Sequence, residues 1–292
     1  MIHKTIFFLT LILLCSLVVS AQSLLEELEQ EPDTLSITEQ ATFKGTRLIN
    51  GHSVETDGEG VLSFLISHRF GRLNEGAYEF FGLDDSNIRL GLEYGLTDRL
   101  NVGIGRSSFE KVIDAFIKYQ LIRQQSGGKV VPLSLTVFSS MAINTLRSQL
   151  PERELNFRYR VDYTYQLLLA RKFSSRLSLQ LMPTWLHRNL VAKADMENDL
   201  YVLGMGGRYK LSKRVALNLE YYYRLNAEAE EDFYYNPIAI GFDIETGGHV
   251  FQLQLTNARA MIEEGFLSET SGDFFSGDIH FGFNISRVFQ LK

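Results

Sequence analysis

Apolar and polar residues alternate along most of this chain with a period of two. Between residues 156 and 171, Phe157, Tyr159, Val161, Tyr163, Tyr165, Leu167 and Leu169 fall on one parity, and Arg158, Arg160, Asp162, Thr164 and Gln166 on the other. Successive side chains of a strand point to opposite faces, so this run reads as a strand with one apolar and one polar face. The period returns in Val215, Leu217, Leu219, Tyr221 and Tyr223 against Ala216, Asn218, Glu220, Tyr222 and Arg224. It returns again in Ile279, Phe281, Phe283 and Ile285 against His280, Gly282, Asn284 and Ser286. Such runs predict twelve strands, over 60–70, 87–95, 99–107, 112–123, 131–142, 156–171, 176–187, 199–210, 214–225, 236–246, 249–257 and 277–289.

Three junctions share one design: Tyr94-Gly-Leu-Thr-Asp-Arg99, Phe173-Ser-Ser-Arg176 and Tyr209-Lys-Leu-Ser-Lys-Arg214 each set an aromatic, a polar tight turn and an Arg before the next apolar run. They belong to a set of short connections, near 96–98, 124–128, 174–175, 212–213 and 246–248. Longer ones, near 71–86, 108–111, 143–155, 188–198, 226–235 and 258–276, alternate with them. A soluble β-sandwich has the same side-chain period, but Greek-key crossovers would break that alternation. Outer-membrane barrels have short periplasmic turns, longer external loops and an even number of antiparallel strands. Aromatic residues at the turns suit the headgroup level. The expected fold is therefore all-β: a closed antiparallel up-and-down transmembrane β-barrel of about twelve strands over 59–292, located in the outer membrane. Phe289, followed by Leu291 and Lys292, is an imperfect form of the aromatic-ended last strand read by barrel-assembly machinery.

No apolar run after Ala21 approaches the roughly 20 residues of a membrane helix. Residues 1–21 carry Lys4, an apolar stretch from Ile6 to Val19 and a Val19-Ser20-Ala21 ending, the pattern of a secretory signal peptide. Cys15 lies inside that stretch and is the only cysteine, so the mature chain has no intramolecular disulfide and no thiolate metal site. Residues 22–58 read as a periplasmic N-terminal segment. Within it, Phe43, Leu48, Ile49 and Val54 are too apolar for a linker, and 41–58 are expected to form a small plug at the periplasmic mouth or an extra strand. Loss of Lys4 with the signal leaves 28 of the 29 basic residues against 35 acidic ones, a balance that does not favour nucleic acid.

By parity, the lumen receives Arg69, Arg89, Glu93, Asp114, Lys118, Arg158, Arg160, Asp162, Arg208, Glu220, Arg224, Asp243 and Glu245. Gly91, Gly103 and Gly105 share that inner face, where small residues relieve crowding. Two readings of the charges stand side by side: a salt-bridge network filling a narrow lumen, and a lining for a small polar or charged solute, with Arg158, Arg160, Arg208 and Arg224 as its basic part. The loop 258–275 holds two apolar pairs, Met261-Ile262 and Phe274-Phe275, suited to an inward lid or an external cap. The loop 228–235 gathers carboxylates before Phe233, Tyr234 and Tyr235, as a solvated loop at the membrane edge does.

Three stretches carry a family likeness: Arg47-Leu-Ile-Asn-Gly-His-Ser-Val-Glu55, Ile66-Ser-His-Arg-Phe-Gly71, and Asn257-Ala-Arg-Ala-Met-Ile-Glu-Glu-Gly-Phe266 continuing to Gly277–Arg287. Together they resemble the Bacteroidota outer-membrane β-barrel family catalogued as domain of unknown function 5777. The resemblance implies an outer-membrane location and supplies no catalytic residues or substrate.

Enzyme chemistry finds little support in the residues. His68, His187, His249 and His280 lie on different strands, in no His-x-His or His-Glu-x-x-His pattern, and no motif calls for a metal or cofactor. Ser139 faces outward near mid-membrane, as a phospholipase nucleophile would, with no His on an adjacent outward position. The reading is thus a passive channel, with a structural or scaffolding barrel as the alternative and an outer-membrane hydrolase behind both. Its expected partners are membrane lipid, the assembly machinery during insertion and other envelope proteins; the oligomeric state stays open. Trypsin added to whole cells should cleave at Arg188 or Lys193 and spare Lys213 and Arg214. The opposite pattern, read by mass spectrometry of the released peptides, would invert the sidedness.

Overall fold

The computed structural model describes residues 35–39, 41–147, 156–228, 233–246 and 249–291. The signal-like segment 1–21 and most of the acidic stretch after it lie outside these residues. A two-stranded antiparallel ribbon pairs β1 (Ser36–Thr38) with β6 (Gln125–Gly127). The larger unit is a closed barrel of twelve antiparallel strands: β2 (Val61–Arg72), β3 (Ser86–Thr97), β4 (Leu100–Ser107), β5 (Val112–Ile122), β7 (Ser134–Asn144), β8 (Val161–Lys172), β9 (Leu177–Arg188), β10 (Asp199–Lys210), β11 (Val215–Arg224), β12 (Ile238–Thr246), β13 (His249–Thr256) and β14 (His280–Gln290). Each pairs with its sequence neighbours in the barrel, and β14 closes on β2 in a register that runs to Gln290 opposite Val61. Closure removes the unpaired edges that hydrocarbon would not tolerate.

Parity holds along the strands. Ile88, Leu90, Leu92 and Ile104 face outward and exposed, while Arg89, Glu93 and Asn101 are buried inside. Tyr165, Trp185 and Tyr201 stand side by side across β8, β9 and β10 as part of an outward aromatic girdle. The three repeated turns are the same structure. Thr97, Ser174 and Ser212 each turn a hydroxyl back to accept from the amides two and three residues on, at 3.0–3.2 Å. The carbonyls of Arg99, Arg176 and Arg214 then each accept, at 2.8 Å, from the amide of Gln120, Lys210 and Glu245 respectively. The hydroxyl, not only the aromatic and the Arg, defines the punctuation.

Two expectations need correction. The connection predicted as short near 124–128 runs from residue 123 to 133 and contains β6. The strand predicted from 156 starts at Val161, because Phe157–Arg160 form a 3-10 turn capped by the Asn156 side chain, which accepts from Arg158 N. Arg188 is buried, which leaves the exposed Lys193 as the external trypsin site in that loop.

Residues 41–58 lie inside the barrel and leave it past β3, where Gly95 is tightly opposed: a Cβ there would sit 2.0 Å from the carbonyl oxygen of Gly58. Gly95→Ala should therefore cost about 1–3 kcal/mol. The temperature at which the compact gel band converts to the extended one checks this, and an unchanged temperature would contradict the close approach.

Candidate functional site

A twelve-strand barrel is wider than side chains alone can fill, and in this one two segments complete the filling. From the periplasmic side comes the plug, residues 41–58. From the other comes the lid, the β13–β14 connection, whose short helix α1 (Glu263–Ser268) is buried along its whole length.

The plug has almost no regular structure, so its buried amides and carbonyls need partners from the wall. Glu220 of β11 accepts from the amides of Ile49 at 2.7 Å and Asn50 at 2.9 Å, with Gly51 N at 3.3 Å. Gln180 of β9 serves two groups, accepting from Val54 N at 2.7 Å and donating to His52 O at 2.8 Å. Gln252 donates to Leu48 O at 2.7 Å, Asn284 to Ile49 O at 3.0 Å, Thr136 to Val54 O at 2.8 Å and Lys118 to Thr46 O at 3.2 Å. Arg69 donates to the Asn50 side chain at 2.6 Å. Gly51 is required by contact: a Cβ would come within 2.0 Å of the Tyr222 hydroxyl oxygen.

Several expected lumen charges pair along the wall. Arg89 holds Asp114 bidentately, Nε at 2.9 Å and Nη2 at 2.5 Å, and a Cβ at Gly105 would strike that guanidinium. Arg208 meets Glu245 at 3.0 Å and Asp243 at 3.5 Å; Lys44 of the plug also reaches Glu245, at 3.0 Å. Arg224 is buried and donates to the Tyr234 carbonyl. Asp162 sits at the external rim, accepting from Asn189 N at 2.8 Å. Arg158 and Arg160 do not line the lumen. In their 3-10 turn, Arg158 lies over the Tyr159 ring and Arg160 donates to the carbonyls of Asn144 and Leu146. The basic row built on them is therefore absent.

Charge counting passed over the neutral amides Gln180, Gln252 and Asn284, which make four of these bonds, although their parity was readable. It also passed over an apolar patch on the inner wall. Phe116, Phe138, Leu168, Met182, Leu186, Leu200, Val202 and Tyr222 cluster with Phe266 and Leu267 of the lid. Met261 and Ile262 are buried with the lid, but Phe275 is exposed, so the second predicted apolar pair does not close the barrel.

Plug and lid meet at Arg47, His52 and Glu263. Glu263 Oε1 lies 3.9 Å from Arg47 Nη1 and 4.0 Å from His52 Nε2, while Arg47 Nε lies 3.7 Å from Glu93. All three separations are longer than hydrogen bonds. Among the described residues, both Glu93 oxygens, both Asn101 side-chain polar atoms and both His52 ring nitrogens find no hydrogen-bond partner. His52 packs edge-on against Phe116 and tilted against Phe138, with ring centroids at 4.6 and 4.3 Å. Burial, then the charges of Arg47 and Lys118, hold its imidazole well below the usual range, so it meets Glu263 as a neutral ring. Toward the periplasm, burial and then the Glu93 charge push the Asp57 carboxyl up to about 6, beside a cavity of about 640 Å³ also lined by Lys44, Glu245 and His249.

The family model for a membrane bound beta barrel domain, domain of unknown function 5777, matches residues 43–289. The chain belongs to this family. It spans the outer membrane. The matched span begins inside the plug, so most of the plug is part of the domain. A search of curated proteins gives no match. Among solved structures, the NanC porin is 10% identical with a TM-score of 0.47, covering 79% of this chain and 99% of its own. An outer membrane channel from Pseudomonas putida F1 is 16% identical at 0.43, covering 82% and 100%. An active-site mutant of outer membrane phospholipase A from Escherichia coli is 12% identical at 0.44, covering 77% and 89%. None of these scores reaches 0.5. On this chain, the cross-strand neighbours of Ser139 are Ile117 and Tyr165, and neither can act as its base.

Glu220→Ala should strip the Ile49 and Asn50 amides of their acceptor, at a cost of about 3 kcal/mol. Hydrogen exchange at those amides, followed by mass spectrometry on the folded protein, should accelerate on the order of a hundredfold. Unchanged exchange would show that the plug is held elsewhere.

Proposed function

We propose that this protein is a passive outer-membrane channel for a small polar or charged solute, closed at rest by its own plug and lid. The observation that carries this reading is the chemistry of the wall behind the plug. Gln120, Thr136, Gln180, Asn218, Gln252, Gln254 and Asn284 are all buried and all polar. The amides and hydroxyls that satisfy the plug backbone can accept water in its place, so the wall behind the plug is one that a hydrated path could use. At the plug–lid junction Arg47 and Glu263 stand 3.9 Å apart without a hydrogen bond, which leaves that junction loosely held.

The filling of the lumen by plug and lid favours a second reading, a structural or scaffolding barrel whose N-terminal segment contacts other envelope proteins. Planar bilayers separate the two. The full chain should conduct rarely, and a variant lacking residues 41–58 should show at least a tenfold higher open probability. A deletion variant that folds, as shown by its heat-modifiable gel band, yet conducts no more than the full chain would overturn the channel. A partner lost from pull-downs on deletion of residues 22–58 would support the scaffold.

A further inference from the structure

The lid has two faces, and consecutive glutamates of α1 serve them. Glu263 faces the plug, as described above. Glu264 lines a separate external cavity of about 470 Å³, together with Tyr159, Leu190, Asp162, Glu269 and Arg160. Only 8% of Glu264 is exposed, and its side chain has no hydrogen bond or ion pair with any described residue. Its neighbours do not supply one. Arg160 donates its Nη1 to the carbonyls of Asn144 and Leu146, and Asp162 already accepts from Asn189. A buried carboxyl group without a partner gives up its charge by holding its proton, and a cation entering the cavity would supply the missing partner. The cavity also offers an aromatic and aliphatic surface beside the carboxylates, the combination that suits an organic cation.

We propose that this cavity binds the cationic end, an alkylammonium or guanidinium group, of a small external solute, with Glu264 as its charge partner and Tyr159 and Leu190 against its carbon skeleton. The proposal stands whether or not the barrel conducts. Burial, then the charges of Glu269, Asp162 and Glu110, push the Glu264 carboxyl well up, and Arg188 offsets only part of this. A bound cation would therefore displace the Glu264 proton to solvent, and affinity should rise with pH. Arg147 and Arg160 also line the cavity.

Calorimetry on the purified full chain tests this with agmatine as the probe and butylurea as an uncharged control. Agmatine should bind saturably, more tightly at pH 8 than at pH 6, and butylurea should not bind. Glu264→Gln should weaken agmatine at least tenfold and abolish the pH dependence while the heat-modifiable band is retained. Should that variant fail to fold, Tyr159→Ala, on an exposed turn, should weaken binding several-fold. No saturable agmatine binding, equal binding of butylurea, or unchanged binding in the folded variant would each overturn the proposal. None of these measurements depends on conductance.

Discussion

Irregular backbone at membrane depth must find a partner for every amide and carbonyl, because hydrocarbon offers none. The rest of this structure follows from that constraint. A barrel of twelve strands leaves room that its own side chains do not fill, and the segment that fills it arrives without helix or strand to satisfy itself. The wall therefore presents acceptors where the plug has amides, as at Glu220, and donors where it has carbonyls, as at Gln252 and Asn284. The dependence is mutual. Glu220 is buried, and without the plug amides its carboxylate would lack most of its donors.

The stretches that carry the family likeness converge on this place. Asn50, from the first, receives Arg69 from the second, and its neighbour Ile49 receives Asn284 from the third. Glu263, also in the third, faces Arg47 in the first. Segments more than 200 residues apart in the chain thus form one contact set, and what looked like three separate motifs is one site.

The strands were legible because their signal is local: period two needs only the residue's own neighbours. The turns at Thr97, Ser174 and Ser212 were legible for the same reason, although the hydroxyl that organises each went unremarked. Arg158 and Arg160 show where the local rule ends. They continue the alternation of β8 without interruption, yet the Asn156 cap turns the chain before the strand begins. The depth of the plug was not legible at all. Its apolar residues marked 41–58 as more than a linker, but its position depends on partners such as Gln180 and Asn284, more than a hundred residues away, and neutral amides carry no charge pattern to advertise them.

The two closures differ in what water would do behind each. The lid covers Phe116, Phe138, Met182 and Leu186 with Phe266 and Leu267, and wetting such a surface costs roughly 25 cal/mol for every Å² exposed. The plug covers mainly amides, hydroxyls and a carboxylate, which water can satisfy nearly as well as the plug does, and meets the apolar surface where His52 packs on Phe116 and Phe138. Its own Phe43, Leu48 and Val54 are packed together with Ala170, so leaving the barrel would still carry an apolar cost on the plug side. On the wall side the asymmetry is plain: the periplasmic part of the lumen can exist wet, and the part under the lid cannot do so without a penalty. A path across this barrel would therefore be limited by the apolar patch beneath the lid, while the plug would decide whether the polar portion behind it is filled by protein or by water.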